Sequence, residues 1–249
     1  MIYITGDCHG DFSRFGSKIF YEQKDMTKND YIIICGDFGG IWDRNESGEF
    51  EAKLLDELES KPFTTLFVDG NHENFDRLYQ YPVEEWNGGK VHKIRSSVIH
   101  LMRGQVFTIE GKKIFSFGGA RSHDMEWILD MDTLDYLEKK KELDEEGRLY
   151  RINHVDWWNE ELPAEAEMEV GRRNLEAHDY KVDFVVTHCH ATSVQYFMNT
   201  HYKPDILTDY FEELREKLKY TRWFCGHYHR NKAITHKDIV IYEQIIRIC

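Results

Sequence analysis

This chain has no long apolar run, no closely spaced cysteine pair and no excess of positive charge. No hydrophobic stretch approaches the roughly 20 residues that a membrane span requires. The first residues run straight into Ile2-Tyr3-Ile4, without the basic segment and apolar core of a signal peptide, so a soluble, cytoplasmic protein is expected. The five cysteines are spread widely and never spaced as CxxC, which argues against a disulfide framework or a thiolate zinc knot. Cys8, Cys35, Cys189 and Cys225 stand beside the motifs described below. They read as small, buryable fillers, with a redox-sensitive site as the sharper alternative. Lysine and arginine total 32 against 45 acidic residues, a formal net charge of −13. That balance disfavours a general nucleic-acid or anionic-membrane binder, both of which need a basic face. Internal repeats and low-complexity linkers are also missing, and 249 residues fit one domain with a substantial core.

What is present is a series of apolar strands, each ending in polar residues. Ile2-Tyr3-Ile4-Thr5 leads to Gly6-Asp7-Cys8-His9, where Asp7 and His9 share one side of an extended segment. A helix is expected next, over about Phe12 to Gln23. Tyr31 to Cys35 is apolar on both faces, as a central strand would be, and ends in Gly36-Asp37. A helical pattern over Gly48 to Ser60 leads to Thr65-Leu66-Phe67-Val68 and then Gly70-Asn71-His72-Glu73. Asn71 suits a hard cation, because its carbonyl oxygen binds without adding charge, and His72 beside it is placed to act on whatever the cation holds. Gly70 reads as the residue that lets the backbone turn sharply.

Short β segments occupy Val91 to Phe117, with a hairpin turn at Glu110-Gly111-Lys112, and end in Gly118-Gly119-Ala120-Arg121-Ser122-His123. Arg121 and His123 face either the same cleft or a loop salt bridge. Residues from about 124 to 180 are strongly charged and mostly helical in pattern, with a helix from Ala164 to His178, and read as an insertion or cap. Trp157 and Trp158 read as its anchors on the core, with a stacking platform for a substrate base as the alternative. The core pattern resumes with a strand ending at His188, a helix over Asp205 to Lys219, and a strand ending in Gly226-His227-Tyr228-His229. The tail from Asn231 to Ile248 reads as a hairpin around His236-Lys237-Asp238. In open α/β sheets a site forms at the carboxyl ends of the strands, where all these ligand types fall.

The ordered motifs GDxH, GD, GNHE, a strand-terminal His and GHxH, from Gly6 to His229, resemble the calcineurin-like metallophosphoesterase superfamily. The resemblance implies an α/β, four-layer sandwich of two mixed β-sheets flanked by helices, with the 124–180 block as an addition to a single domain over 1–249. It also implies two divalent ions. Asp7, His9 and His229 would hold one, Asn71, His188 and His227 the other, and Asp37 would bridge them. His72 would be the general acid that protonates the leaving oxygen, oriented by Glu73 or Asp37. Oxygen and nitrogen ligands without thiolate suit Mn²⁺, Fe, Zn²⁺ or Co²⁺, with Mn²⁺ favoured.

The expected activity is hydrolysis of a phosphomonoester or phosphodiester by hydroxide generated at the metals, with a small-molecule or nucleotide substrate favoured. The alternatives are a Ser/Thr protein phosphatase and a non-catalytic scaffold of the same fold. The protein phosphatase branch carries an Asp-Arg pair soon after the second motif and an Arg just before GNHE; here Gly39-Gly40 and Asp69 stand there. Arg44, Arg77 or Arg121 could substitute as the phosphate clamp, and Arg121, His123 and Arg44 are the expected substrate contacts.

Overall fold

The computed structural model of the protein describes residues 1–43 and 48–249; Arg44 lies outside the described residues. The first sheet begins with β1 (Ile2–Thr5), β2 (Tyr31–Cys35) and β3 (Thr64–Val68), all parallel, with α1 (Glu49–Ser60) crossing between the last two. After α2 (Phe75–Leu78) come β4 (Val83–Trp86), β5 (Gly89–Arg95) and β6 (Val98–Leu101). The last of these lies parallel to β3, and β5 runs antiparallel to both of its neighbours.

A hairpin of β7 (Gln105–Ile109) and β8 (Lys112–Phe117) opens the second sheet. The chain then leaves the sheets for a parallel ribbon of β9 (Trp127–Leu129) and β10 (Tyr150–Ile152), with α3 (Tyr136–Glu146) between them. It returns through α4 (Glu165–Glu176), β11 (Phe184–Thr187), α5 (Thr192–Met198), α6 (Ile206–Lys217) and β12 (Arg222–Cys225). The tail forms β13 (Lys232–Ala233) and β14 (Asp238–Val240), the expected hairpin. It then crosses to the first sheet, where β15 (Ile246–Arg247) pairs antiparallel with β1. The sheet orders are β15-β1-β2-β3-β6-β5-β4 and β13-β14-β12-β11-β8-β7.

The two-residue period of a strand sorts the side chains into layers. Ile33, Leu66 and Val68 point inward and meet Ile114, Phe184, Val186 and Phe224 of the other sheet, forming an apolar layer between the sheets. Ile32, Ile34 and Phe67 point outward onto Leu55 and Leu58 of α1. Phe115, Phe117, Val185 and Trp223 face outward from the second sheet onto Met168 and Leu175 of α4 and Leu207, Phe211 and Leu214 of α6. The result is a four-layer α/β/β/α sandwich. Strands buried on both faces explain the near-continuous apolar runs of the sequence.

Three local expectations need correction. The Phe12 to Gln23 segment is two 3₁₀ turns, Ser13–Phe15 and Tyr21–Asp25, and not one helix. Gly16 lies between them with an extended backbone, and the Gln23 side-chain amide donates to the carbonyls of Phe15 (3.0 Å) and Phe20 (2.8 Å), replacing helical bonds. The 124–180 block is less helical than its charge pattern implies, because the β9–β10 ribbon and long connections occupy much of it, while α4 belongs to the outer layer of the second sheet. Arg77 is no phosphate clamp. It is buried, with its guanidinium on Glu51 (2.6 Å) and the Asp43 carbonyl (2.7 Å).

Candidate metal centre

The parallel strands β1, β2, β3, β11 and β12 end at one edge of the sandwich, and the residues that follow them converge there. Asp7, His9, Asp37 and His229 each offer one donor atom within 4.8 Å of the others. His9 Nε2 lies 3.0 Å from His229 Nε2 and 3.6 Å from Asp37 Oδ2, while His229 Nε2 lies 3.1 Å from Asp7 Oδ2. Asn71 and His188 adjoin this group through the other Asp37 oxygen: His188 Nε2 is 3.2 Å from Asp37 Oδ1 and 3.1 Å from Asn71 Oδ1. The His227 ring stands 5.0 Å from that of His188, and its backbone N–H donates to Asp7 Oδ1 at 2.9 Å. All seven ligand candidates are therefore brought together. His72 sits at the margin, its ring 5.5 Å from that of His9 and its backbone N–H donating to Asp37 Oδ1 at 2.9 Å.

The chemistry of the donors fits a cation. His188 Nδ1 donates to the Cys35 carbonyl at 2.8 Å, so the neutral ring presents the Nε2 lone pair to two oxygens that are themselves acceptors. His9 and His229 likewise aim nitrogens at each other. Such an arrangement is repulsive unless a proton or metal ion occupies it. Burial pushes His188 down, but the Asp37 carboxylate outweighs burial and raises it to about 10; reciprocally, Asp37 is held well below the carboxylate range despite its burial. Burial lowers His9 and His227, while the hydrogen bond to Asp7 raises His229.

The backbone is bent to make this arrangement. His9, Asp37, His227 and His229 have φ of 47°, 44°, 65° and 47°, in the left-handed region that costs a non-glycine residue on the order of 1–3 kcal/mol. Gly70 is needed for proximity and not for a turn, because a Cβ there would stand 1.9 Å from Asp37 Oδ1. Gly226 answers the same need, with its Cβ position 2.1 Å from Asp7 Oδ1.

Several supporting residues carry no signal in the sequence. Arg14 donates to the carbonyls of Asp7 (2.7 Å) and Tyr242 (2.6 Å), clasping the first loop to the tail, and Tyr242 stacks on His229 at 4.6 Å. Asn71 Nδ2 donates to Ser122 Oγ (3.2 Å), which donates to Glu161 (2.6 Å), so the amide turns its oxygen toward His188. Glu73 does not orient His72. Its buried carboxylate accepts the N–H groups of Phe38 (2.6 Å) and Gly39 (3.4 Å), and burial raises its pKa well above the usual value. No periodicity marks such contacts, because all but the seven-residue span from Arg14 to Asp7 reach a distant partner fixed only by folding. Asp69, where the phosphatase branch has Arg, is buried against Arg103 (2.5 Å) and His100 (3.0 Å).

Of the expected substrate contacts, His123 stacks on Tyr202 at 5.1 Å and stands 5.5 Å from the His227 ring. Arg121 is half exposed, with Nε 3.7 Å from Asp205. A cavity of about 600 Å³ opens there, and another of about 460 Å³ adjoins His9 and His72. The four cysteines beside the motifs are buried; burial lifts the Cys8 thiol to about 12 and the others well above their ordinary value, so they stay protonated.

A family model described as calcineurin-like phosphoesterase matches residues 1–231. Curated relatives include the lariat debranching enzyme of Danio rerio, 27% identical over 139 residues, which cover 49% of this chain and 23% of that protein. The Saccharomyces cerevisiae lariat debranching enzyme is 28% identical over 130 residues (47% and 30%), and the human one 21% over an alignment of 265 residues (92% and 42%). The chain spans about a quarter of the length of the first two vertebrate relatives it matches, 23% and 24%. Among the described residues, no helix is long and apolar enough to cross a membrane.

Proposed function

The chain belongs to the calcineurin-like phosphoesterase family, a metal-dependent one, and from that premise we propose that it hydrolyses a phosphodiester at a two-metal centre. The observation that carries the proposal is the convergence of seven oxygen and nitrogen ligands on one strand edge, four of them with donor atoms within 4.8 Å. Asp7, His9 and His229 would hold one ion, Asn71, His188 and His227 the other, with Asp37 between them. Mn²⁺ is favoured, since mixed carboxylate, amide and imidazole donors match harder cations. Bound divalent ions would supply Lewis acidity and a positive field for the phosphoryl group, against which the diffuse surface charge is screened beyond about 8–10 Å.

The chain's own part is positioning and proton transfer. Asp37, tied to the His72 backbone, holds the acid beside the ligand cluster. As hydroxide attacks phosphorus, the P–O bond to the leaving arm breaks, and His72 gives its proton to the departing oxygen. The supporting contacts of Arg14, Ser122 and Glu161 keep the ligands in place through this step.

A protein phosphatase is disfavoured because Asp69 is locked in a buried pair where that branch uses an arginine, and a non-catalytic scaffold is disfavoured because every ligand and His72 is retained. A nucleic-acid substrate is the second reading. The acidic composition argues against a general nucleic-acid binder, but the relatives' names place those proteins on lariats, so a branched or structured chain enters as a specific substrate. The test is hydrolysis of an aryl phosphomonoester and a bis-aryl phosphodiester by Mn²⁺-loaded protein, with Asp37→Asn as control and metal content measured alongside. Diester turnover lost in the control supports the proposal. Two bound metals with no turnover of either ester would favour the scaffold.

A further inference from the structure

The two cavities beside the ligand cluster share no lining residue and differ in chemistry. The smaller, next to His9 and His72, has Trp42, Phe50 and Leu54 as apolar walls and Asp11, Asp43 and Glu51 as carboxylates, with no lysine or arginine among the described residues of its lining. The larger lies between the loop after β8 and the loop between α5 and α6. It carries Arg121, His123, His201 and Lys203, with Tyr202 and Trp127 as flat apolar walls and Glu126 as the one described carboxylate in its lining. The stack of His123 on Tyr202, with His123 beside His227, connects this second cavity to the ligand cluster. The Asp205 carboxylate caps α6 through Oδ1, which accepts the N–H groups of Leu207 and Thr208 (2.9 Å each), while Oδ2 faces Arg121 at 3.7 Å, so its charge is shared between the helix and Arg121.

Resting on the proposed hydrolysis, we infer that the substrate is an asymmetric diester whose retained arm carries a ring and a second phosphate. The leaving arm departs on the side of its acid, His72, and so lies in the Trp42 cavity. The retained arm then points past His227 into the cationic cavity. Its ring stacks against Tyr202 and Trp127, and its second phosphate meets Arg121 and Lys203. Hydrolysis breaks only the phosphorus–oxygen bond on the His72 side, so the product kept in the cationic cavity is a bisphosphate.

The test compares thymidine 5′-(p-nitrophenyl phosphate) with its 3′-phosphorylated form, where nitrophenolate leaves and thymidine is retained. The expected result is a gain of about tenfold or more in kcat/KM for the 3′-phosphorylated ester. Arg121→Ala should bring the ratio of the two kcat/KM values near one, and Lys203→Glu should invert it. Thermal melting checks that both variants fold, and because the readout is a ratio within one protein, a general loss of activity does not mimic the effect. An oligothymidylate bearing the same nitrophenyl ester at its 5′-phosphate separates the sources. A further gain with length points to a polynucleotide, and a gain complete at one 3′-phosphate points to a small bisphosphate-forming ester. Equal kcat/KM for the two thymidine esters would overturn the inference while leaving the proposed hydrolysis standing. Failure to hydrolyse either would overturn both.

Discussion

Among single residues, the most exacting demands fall on glycines and on four ligands with left-handed backbones. Gly226 has no room for a methyl group, since its Cβ would meet Asp7 Oδ1 at 2.1 Å and the Cys35 carbonyl at 2.5 Å. Gly226→Ala should therefore displace Asp7, lower bound metal measured by plasma mass spectrometry, and cost about 1–3 kcal/mol in urea unfolding. His72 makes a different claim. It lies beside the ligands without belonging to the tight group of four donors. His72→Ala should cut the turnover of an ester with a poor leaving group by about 10²- to 10⁴-fold while metal content stays at the wild-type value. Full activity on such an ester would remove His72 from the acid role. Both residues are legible in the GNHE and GHxH motifs, but why the glycines are there is not. A sequence shows that a glycine is present, and only folding shows that Asp7 or Asp37 comes to rest against it.

For the secondary-structure elements, the central strands of both sheets and the long amphipathic helices were readable because burial on one or both faces imposes a period on the side chains. The 12–23 segment was not, since its carbonyls are satisfied by the Gln23 side chain, a contact with no periodic trace. The 124–180 block is anchored through one of its two expected tryptophans, Trp158, while Trp157 is only partly buried. Trp158 is fully buried, crosses Trp42 edge-on at 5.7 Å, and donates Nε1–H to Asp76 at 2.7 Å, where His154 also bonds at 2.9 Å. Trp158→Ala should cost about 3–5 kcal/mol in urea unfolding and speed proteolysis between β9 and β10. Unchanged cleavage there would mean that the ribbon is held by something else.

For the whole molecule, the buried pair of Asp69 and Arg103 joins parts that the sheets alone leave separate. Asp69 directly follows β3 of the first sheet, and Arg103, in the connection to the second sheet, also donates to the Glu160 carbonyl (2.6 Å) and reaches Glu167 (3.3 Å). Burial pushes the Asp69 carboxyl up, but Arg103 and His100 outweigh it and hold the group well below the carboxylate range. A depressed folded pKa adds stability that is complete above the unfolded value of about 4 and is lost as pH falls toward the folded one. Asp69→Asn should then cost about 3–5 kcal/mol at pH 7, by removing the fully buried carboxylate opposite Arg103 and leaving only the part-exposed Glu167 as its counter-ion, and should flatten the loss of stability below about pH 4. Melting curves of both proteins in EDTA across that range check the sign. An equal acid slope would show that other carboxylates carry the acid sensitivity.

The sequence by itself determined the order of the core strands and of the long helices between them, the polar residues at the strand ends and the identity of the ligand candidates, because these follow from local periodicity and from residue chemistry at fixed spacing. Only the tertiary structure decided which lone pairs face one another, that Glu73 holds the Phe38–Gly39 backbone and not His72, and that Arg77 is locked in the core. It also decided that Arg14, Ser122 and Glu161 support the ligands. Those contacts join residues up to 228 positions apart, and which partners meet is set by the packing of two sheets and not by any neighbour along the chain.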